Sequence, residues 1–295
     1  MPKGKNGARA ASHPTCSVVI TTYNRLELLK RALAGVYRQT FRDFEIVVAD
    51  AGNDGTTPYL KGLKLPLRLV SLPHNPGVAA LMNAGLRLSR GRFVVFLESD
   101  DYWRPEFLAV MLDAFKNKKI KCASSAWWNL NADGDAVCRY HWRDAAILIP
   151  DIAGVRCMKS GARFHWPWHL SFTLFKREVF DEIGAFDPGL KWEAVDVDFY
   201  ARMTLAYGAK AFLRLDEPLG FWTGHYSSLQ LTNLSCQSAM QALPRIAGIG
   251  RPRDPKENDF LLDRAYFVWK YSANWREVER KLPFSGDRRT FTYLN

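Results

Sequence analysis

Residues 92–101 read Arg-Phe-Val-Val-Phe-Leu-Glu-Ser-Asp-Asp. Five apolar residues run without a polar break and end abruptly in three carboxylates, Glu98, Asp100 and Asp101. A short continuous apolar run of this kind reads as a strand buried on both faces, the pattern of a parallel sheet covered by helices. In open α/β sheets, ligands bind beyond the carboxyl ends of the strands, so the carboxylates are expected at the mouth of a cleft. Acidic groups this close repel one another unless a positive charge sits among them. A hard divalent cation suits such oxygen ligands and usually brings phosphates with it. The plainer alternative is an acidic loop ahead of a helix opened by Pro105.

The rest of the chain supplies the sheet. Cys16 to Ile20 is a short apolar strand ending in Thr21-Thr22-Tyr23-Asn24-Arg25. Asn24 is expected to cap the next helix, with Glu27 completing a capping box. Leu26, Leu29, Leu33 and Val36 recur at helical spacing. Phe44 to Ala49 is the next strand, and it runs into Asp50-Ala51-Gly52-Asn53-Asp54-Gly55-Thr56. Strand, helix and strand in this order form a βαβ unit with a right-handed crossover and parallel strands. Leu67 to Leu72 is a third strand. Asn75 and Pro76 are expected to open a helix carrying Leu81, Met82 and Leu86. Beyond the acidic tip, a helix is expected from about Pro105 to Phe115, and strands at 120–128, 136–140, 169–175, 211–215 and 219–222. A short helix at 179–183 stops at Gly184, and another runs from about Asp196 to Tyr207. From Ser228 onward the pattern is helical, amphipathic and basic.

The chain has 295 residues and a formal charge of +11, which favours anionic partners: nucleic acid, anionic lipid or phosphorylated small molecules. Zinc-finger spacing, an RNA-binding aromatic strand signature and a long Lys/Arg block are all missing from the sequence, so no nucleic-acid partner is expected. The five cysteines are widely spaced without a Cys-x-x-Cys pair, which points away from a zinc site or disulfide framework and fits a reducing cytoplasm. No run approaches the ~18 apolar residues of a spanning helix.

Five ordered segments together resemble the inverting family 2 glycosyltransferases with the GT-A fold. They are Ser17 to Arg25, Glu45 to Thr56, the Asn75-x-Gly77…Asn83-x-Gly85 helix, Phe93 to Asp101 with its DXD-like tip, and Lys176 to Arg202. The resemblance implies an α/β fold, a mostly parallel twisted sheet with helices on both faces. It divides the chain into a lead-in (1–14), a GT-A domain (15–228) and a helical C-terminal extension (229–295). Within the domain, 15–110 would bind the nucleotide and 111–228 the acceptor. The implied donor is a nucleotide sugar, most simply UDP-linked, and the implied cofactor is Mn²⁺ or Mg²⁺. The acceptor would be a saccharide or a lipid-linked saccharide. That implies a cytoplasmic enzyme with a peripheral contact at the inner membrane face if the acceptor is lipid-linked.

Residue by residue, the resemblance assigns Thr21, Tyr23 and Asn24 to the nucleotide, Tyr23 against the base. Asp50 would accept from the uracil ring nitrogen. Asn83, Glu98 and Ser99 would also face the donor. Asp100 and His225 would serve the metal, and Asp196 would be the general base. The sequence departs from the family pattern at Ala49, Met82, Glu98 and Val195. Two other classes stay open on the residues alone. One is a nucleotide-sugar-binding module without catalysis. The other is a sugar nucleotidyltransferase, against which the glycine-free Thr21–Arg25 turn argues.

Overall fold

The computed structural model describes residues 13–130, 136–140, 169–190 and 195–223. The expected aromatic stretch 142–168, His225 and the helical extension 229–295 lie outside these residues.

The elements run β1 (Cys16–Thr22), α1 (Leu26–Tyr37), β2 (Phe44–Asp50), α2 (Thr56–Gly62), β3 (Leu67–Ser71), α3 (Val78–Leu88), β4 (Phe93–Glu98), β5 (Tyr102–Trp103), α4 (Phe107–Asp113), β6 (Cys122–Leu130), β7 (Ala136–Tyr140), β8 (Thr173–Lys176), α5 (Glu178–Ile183), α6 (Val195–Tyr207) and β9 (Phe212–Thr223). The described strands form one sheet in the order β3-β2-β1-β4-β8-β6-β9-β5, with β7 paired to β6. β3, β2, β1 and β4 are parallel, as the βαβ pattern requires. β8 is antiparallel to both β4 and β6, and β6 runs parallel to β9.

Alternate residues of each central strand serve opposite faces. Val18, Ile20, Val95 and Leu97 pack with Leu29 and Leu33 of α1 and with Phe107 and Met111 of α4. Val19, Val94 and Phe96 pack with Met82 of α3, Phe180 of α5 and Phe199 of α6. Both faces are therefore covered, which is why β4 could be an uninterrupted apolar run.

The second half of the sheet curls. Only Ser99, Asp100 and Asp101 separate β4 from β5, yet β8, β6 and β9 lie between them in the sheet. Four flat strand spacings would span about 19 Å. The chain from Glu98 to Tyr102 can reach at most about 14 Å. The sheet must bend back on itself, which carries the end of β9 toward the acidic tip, beside the start of the neighbouring β8. Trp103, Phe107, Trp127, Phe172 and Leu219 fill the inside of the bend.

Several local expectations change. The two closing strands are one strand, β9, whose register with β6 shifts between Leu215 and Pro218; the shift is where a proline without an N–H can sit. Leu170–Phe172 is a 3-10 turn instead of strand. α2 has no counterpart among the expected elements. Asn24 does not cap α1. It takes a left-handed conformation (φ 53°), and its Oδ1 accepts from Asn53 N at 2.8 Å. The Leu26 N–H at the start of α1 donates instead to Asp54 Oδ2, 2.9 Å away. Asn75 likewise accepts from Gly77 N in a turn before α3, which starts at Val78.

Gly91 marks a close approach at the start of β4. A Cβ there would lie 2.5 Å from Ser17 N and 2.6 Å from the Cys16 carbonyl carbon. Backbone cannot yield as a side-chain tip can, so Gly91→Ala should destabilise by about 1–3 kcal/mol. A urea midpoint equal to wild type would show that β1 and β4 separate at no cost.

Candidate functional site

The carboxyl end of β4 is the meeting point of four parts of the chain. Its turn is closed by the Asp101 N–H donating to the Glu98 carbonyl at 3.0 Å. The Glu98 N–H donates to Ser171 Oγ at 3.1 Å, and Trp103 Nε1 donates to the Ser171 carbonyl at 2.6 Å. At the end of β9, Thr223 N donates to Asp101 Oδ1 at 3.2 Å. From α1, Arg31 Nη2 donates to the Asp100 carbonyl (2.9 Å) and Thr223 Oγ1 (3.0 Å), while its guanidinium lies over the Tyr102 ring. Arg25, just ahead of α1, pairs its Nη1 with Asp100 Oδ2 at 2.8 Å.

Asp101 is the most deeply placed of the three acids, 1% exposed. Its Oδ2 has no hydrogen-bond donor and lies 3.8 Å from His169 Nδ1. Burial, then the charges of Asp100 and Glu98, push its carboxyl well above the usual carboxylate range; Ser171 and the Thr223 N–H pull the other way. His169 Nδ1 accepts from Ser171 N at 3.2 Å, so that nitrogen carries no proton. Single ligand atoms of Glu98, Asp101 and His169 lie within 4.8 Å of one another. Two carboxylates, one with an orphaned buried oxygen, and an imidazole lone pair are a donor set that fits a divalent cation. The oxygens suit Mg²⁺ or Mn²⁺, and the nitrogen shifts the preference toward Mn²⁺.

The other expected site residues are placed as follows. Thr21 is buried, in register with Ala49 on one side and Glu98 on the other. Tyr23, at the end of β1, is 46% exposed and offers its ring to solvent. Ser99 is buried inside the turn. Asp50 is fully buried; Oδ1 accepts from Gly52 N (2.8 Å) and Oδ2 from Thr57 Oγ1 (2.7 Å). Its carboxylate thus shapes the loop after β2. Asn83 spends its side chain on the Phe186 backbone, Nδ2 donating to the carbonyl at 2.6 Å and Oδ1 accepting from N at 3.1 Å. These two bonds tie α3 to the turn leading toward α6. Asp196 lies in the first turn of α6, partly buried; four residues on, burial pushes the Tyr200 phenol up, with Cys122 and the Asp196 charge adding to it. Asp198 pairs with Arg202 at 2.7 Å, the expected i,i+4 contact. Asp100 and His225 were the expected metal pair. Asp100 carries the Arg25 ion pair, and His225 is not among the described residues.

Sequence reasoning missed His169, Ser171, Arg25 and Arg31. His169 stands 68 residues beyond Asp101, and only the antiparallel β4–β8 pairing carries it to the tip. Arg25 and Arg31 are six residues apart, and no local rule shows that both reach the acidic turn.

Comparison with known proteins adds the family. Residues 17–184 match the model of "Glycosyl transferase family 2". An uncharacterized glycosyltransferase of Nostoc sp. is 27% identical over 258 residues, covering 85% of this chain and 76% of that protein. A colanic acid biosynthesis glycosyl transferase of Escherichia coli, described as putative in its name, is 26% identical over 210 residues, covering 67% and 68%. Among solved structures, Staphylococcus aureus TarS 1–349 in complex with UDP-GlcNAc superposes with a TM-score of 0.63 at 16% identity, covering 93% of this chain and 77% of that one. A Pyrobaculum calidifontis mannosyltransferase in complex with GDP-Man and Mn²⁺ gives 0.59 at 18% identity, covering 94% and 77%. At such identities the structures speak for the fold alone, and they agree with the curled, mostly parallel sheet. The ordered strand ends, the acidic turn and the match over more than half of its length make this chain a member of glycosyl transferase family 2.

Proposed function

We propose that the protein transfers a glycosyl group from a nucleotide sugar, UDP-linked, to a hydroxyl of a saccharide acceptor with inversion, in the building of a polysaccharide or lipid-linked saccharide. The observation that carries this reading is the buried acidic turn at the end of β4, set in a family 2 fold and flanked by an exposed Tyr23. The names of the related proteins, colanic acid synthesis and a UDP-GlcNAc complex, support the donor and pathway class.

Tyr23 offers a flat ring on which a base can stack, worth about 1 kcal/mol beyond its buried area. Asp50 holds the loop beside it. Glu98, Asp101 and His169 would hold a divalent cation, which when bound neutralises charge on the departing diphosphate. Asp196 takes the proton of the acceptor hydroxyl as its oxygen bonds to the anomeric carbon. The bond from that carbon to the diphosphate oxygen breaks on the opposite face, and the electron pair leaves with the nucleoside diphosphate. One displacement with one base inverts the anomeric centre. Among the described residues no helix is long and apolar enough to cross a membrane.

The test is a thermal-shift panel of UDP, GDP and their sugars, with and without Mn²⁺. A ligand at 100 times its Kd stabilises by about 2.7 kcal/mol, a shift of several degrees. UDP and one UDP-sugar should give it, more strongly with Mn²⁺, and that sugar should then be transferred. Stabilisation by GDP compounds alone would overturn the donor, and no shift with any nucleotide would overturn the whole reading.

A further inference from the structure

We propose that Ser171 is a positioning residue of the acidic turn: its hydroxyl sets Glu98 and Asp101 for the divalent cation that the turn would hold. The inference deepens the cation site proposed above and rests on it.

Ser171 stands where a ladder stops. β4 and β8 pair as far as Val95 and Leu174. Ahead of β8 the chain forms the 3-10 turn Leu170–Phe172, so the ladder supplies Glu98 with no partner on that side. Ser171 Oγ fills the place, accepting the Glu98 N–H at 3.1 Å. The Glu98 carbonyl is held by the Asp101 N–H at 3.0 Å. The backbone of Glu98 is thus pinned at both ends, which fixes the point from which its carboxylate departs. Ser171 is itself fully buried, and its own backbone is engaged. Its carbonyl accepts from Trp103 Nε1 at 2.6 Å, and its N–H donates to His169 Nδ1 at 3.2 Å. A side chain on so fixed a backbone holds its hydroxyl in one place.

A hydroxyl offers one donor and two acceptor positions. The Glu98 N–H uses an acceptor, which leaves the proton to give, and the carboxyl it acts on is that of Asp101. Burial raises that carboxyl, and the charges of Asp100 and Glu98 raise it further; the Ser171 hydroxyl is first among the groups that favour its charged form. One hydroxyl therefore acts on two of the three candidate ligands, and the N–H of the same residue acts on the third. That N–H keeps His169 Nδ1 without a proton, 3.8 Å from Asp101 Oδ2. The imidazole is further fixed by Trp127 and Phe172, whose ring centroids lie 5.7 and 5.1 Å away. Partners that orient ligands and keep them in their ligating protonation state are the second requirement of a cation site, after the ligands themselves. A serine that only closed the end of a sheet would need the Glu98 N–H alone. The additional hold on Asp101 and His169 is what a capping role leaves unexplained.

The full chain can be titrated with Mn²⁺ alone, with free Mn²⁺ followed by electron paramagnetic resonance. Ser171→Ala removes the hydroxyl and should bind Mn²⁺ about 10–100-fold more weakly than wild type, the usual cost of losing a partner that orients ligands. Ser171→Thr keeps the hydroxyl and should restore the affinity to near the wild-type value. Trp103→Phe supplies the control for structure. It removes the donor to the Ser171 carbonyl and leaves the hydroxyl, so it should lower the melting temperature while Mn²⁺ affinity stays near wild type. If Ser171→Ala fails to fold by circular dichroism, Ser171→Cys makes the same comparison, since a thiol is a poor donor and acceptor. A residue that merely stabilises the end of the sheet would show the same loss of affinity in Trp103→Phe as in Ser171→Ala, in step with the loss of stability. That result overturns the proposal, as does wild-type affinity in Ser171→Ala or no recovery in a folded Ser171→Thr. If wild type itself binds no Mn²⁺, the cation site fails and the proposal with it; failure of the proposal alone leaves wild-type binding intact.

Discussion

Asp196→Asn is expected to lower the rate of transfer by about 10²–10⁴-fold, the usual contribution of a general base. The substitution is nearly isosteric, and what it removes is the ability to take the acceptor's proton. Asp196 lies within the first turn of α6, not at its cap. An acid there gains only about 0.3–1 kcal/mol from the helix dipole, so the fold should lose little. Tyr23, Asp50 and the acidic turn belong to β1, β2 and β4, on elements that do not depend on this side chain. UDP and Mn²⁺ binding by calorimetry should therefore match wild type while kcat falls. Turnover within a few-fold of wild type, in a variant that binds donor normally, would remove Asp196 as the base and leave its charge a matter of helix stability.

What could be read from the chain was the part written in neighbouring residues. β1, β2 and β4 announce themselves because each is an apolar run ending in polar groups, and burial on both faces demands that composition. The Asp198–Arg202 pair was legible because both residues lie on one helix face. The caps were not. The start of α1 is satisfied by Asp54, 28 residues ahead, and Asn24 looks like a cap only until its left-handed backbone is seen. α2 is seven residues long with two of them buried, too short to show a period. The composition of the acidic turn was visible, but its partners were not. His169 and Ser171 arrive through an antiparallel pairing whose direction no residue of β8 declares. Thr223 arrives through a curl that follows from chain length between β4 and β5 once the strand order is known.

Asp101→Asn should move stability and cation binding in opposite directions. The wild-type carboxyl is buried beside two other acids, and its proton is held more tightly in the folded chain than in the unfolded one. Below pH about 4, the unfolded carboxylate value, the group is protonated in both states and contributes nothing. As pH rises past that value, the unfolded state releases the proton first, and the folded state pays an increasing penalty until its own raised value is passed. Asparagine keeps the acceptor for the Thr223 N–H and places an N–H donor among carboxylates, so it avoids the penalty. The variant should thus melt higher than wild type at pH 7, with the difference shrinking to nothing toward pH 4. It should also lose at least 10–100-fold in Mn²⁺ affinity, the cost already seen when only a supporting partner of a ligand is removed. Mn²⁺ should then raise the melting temperature of wild type far more than that of the variant. If Asp101 only anchors the end of β9, removing its charge has no bearing on Mn²⁺, and the cation affinities of the two proteins will coincide. That outcome would discard Asp101 as a ligand even if the gain in stability were observed, because the gain follows from burial and like charge alone. A loss of Mn²⁺ binding together with higher stability is the combination that only a buried carboxylate kept for a cation produces.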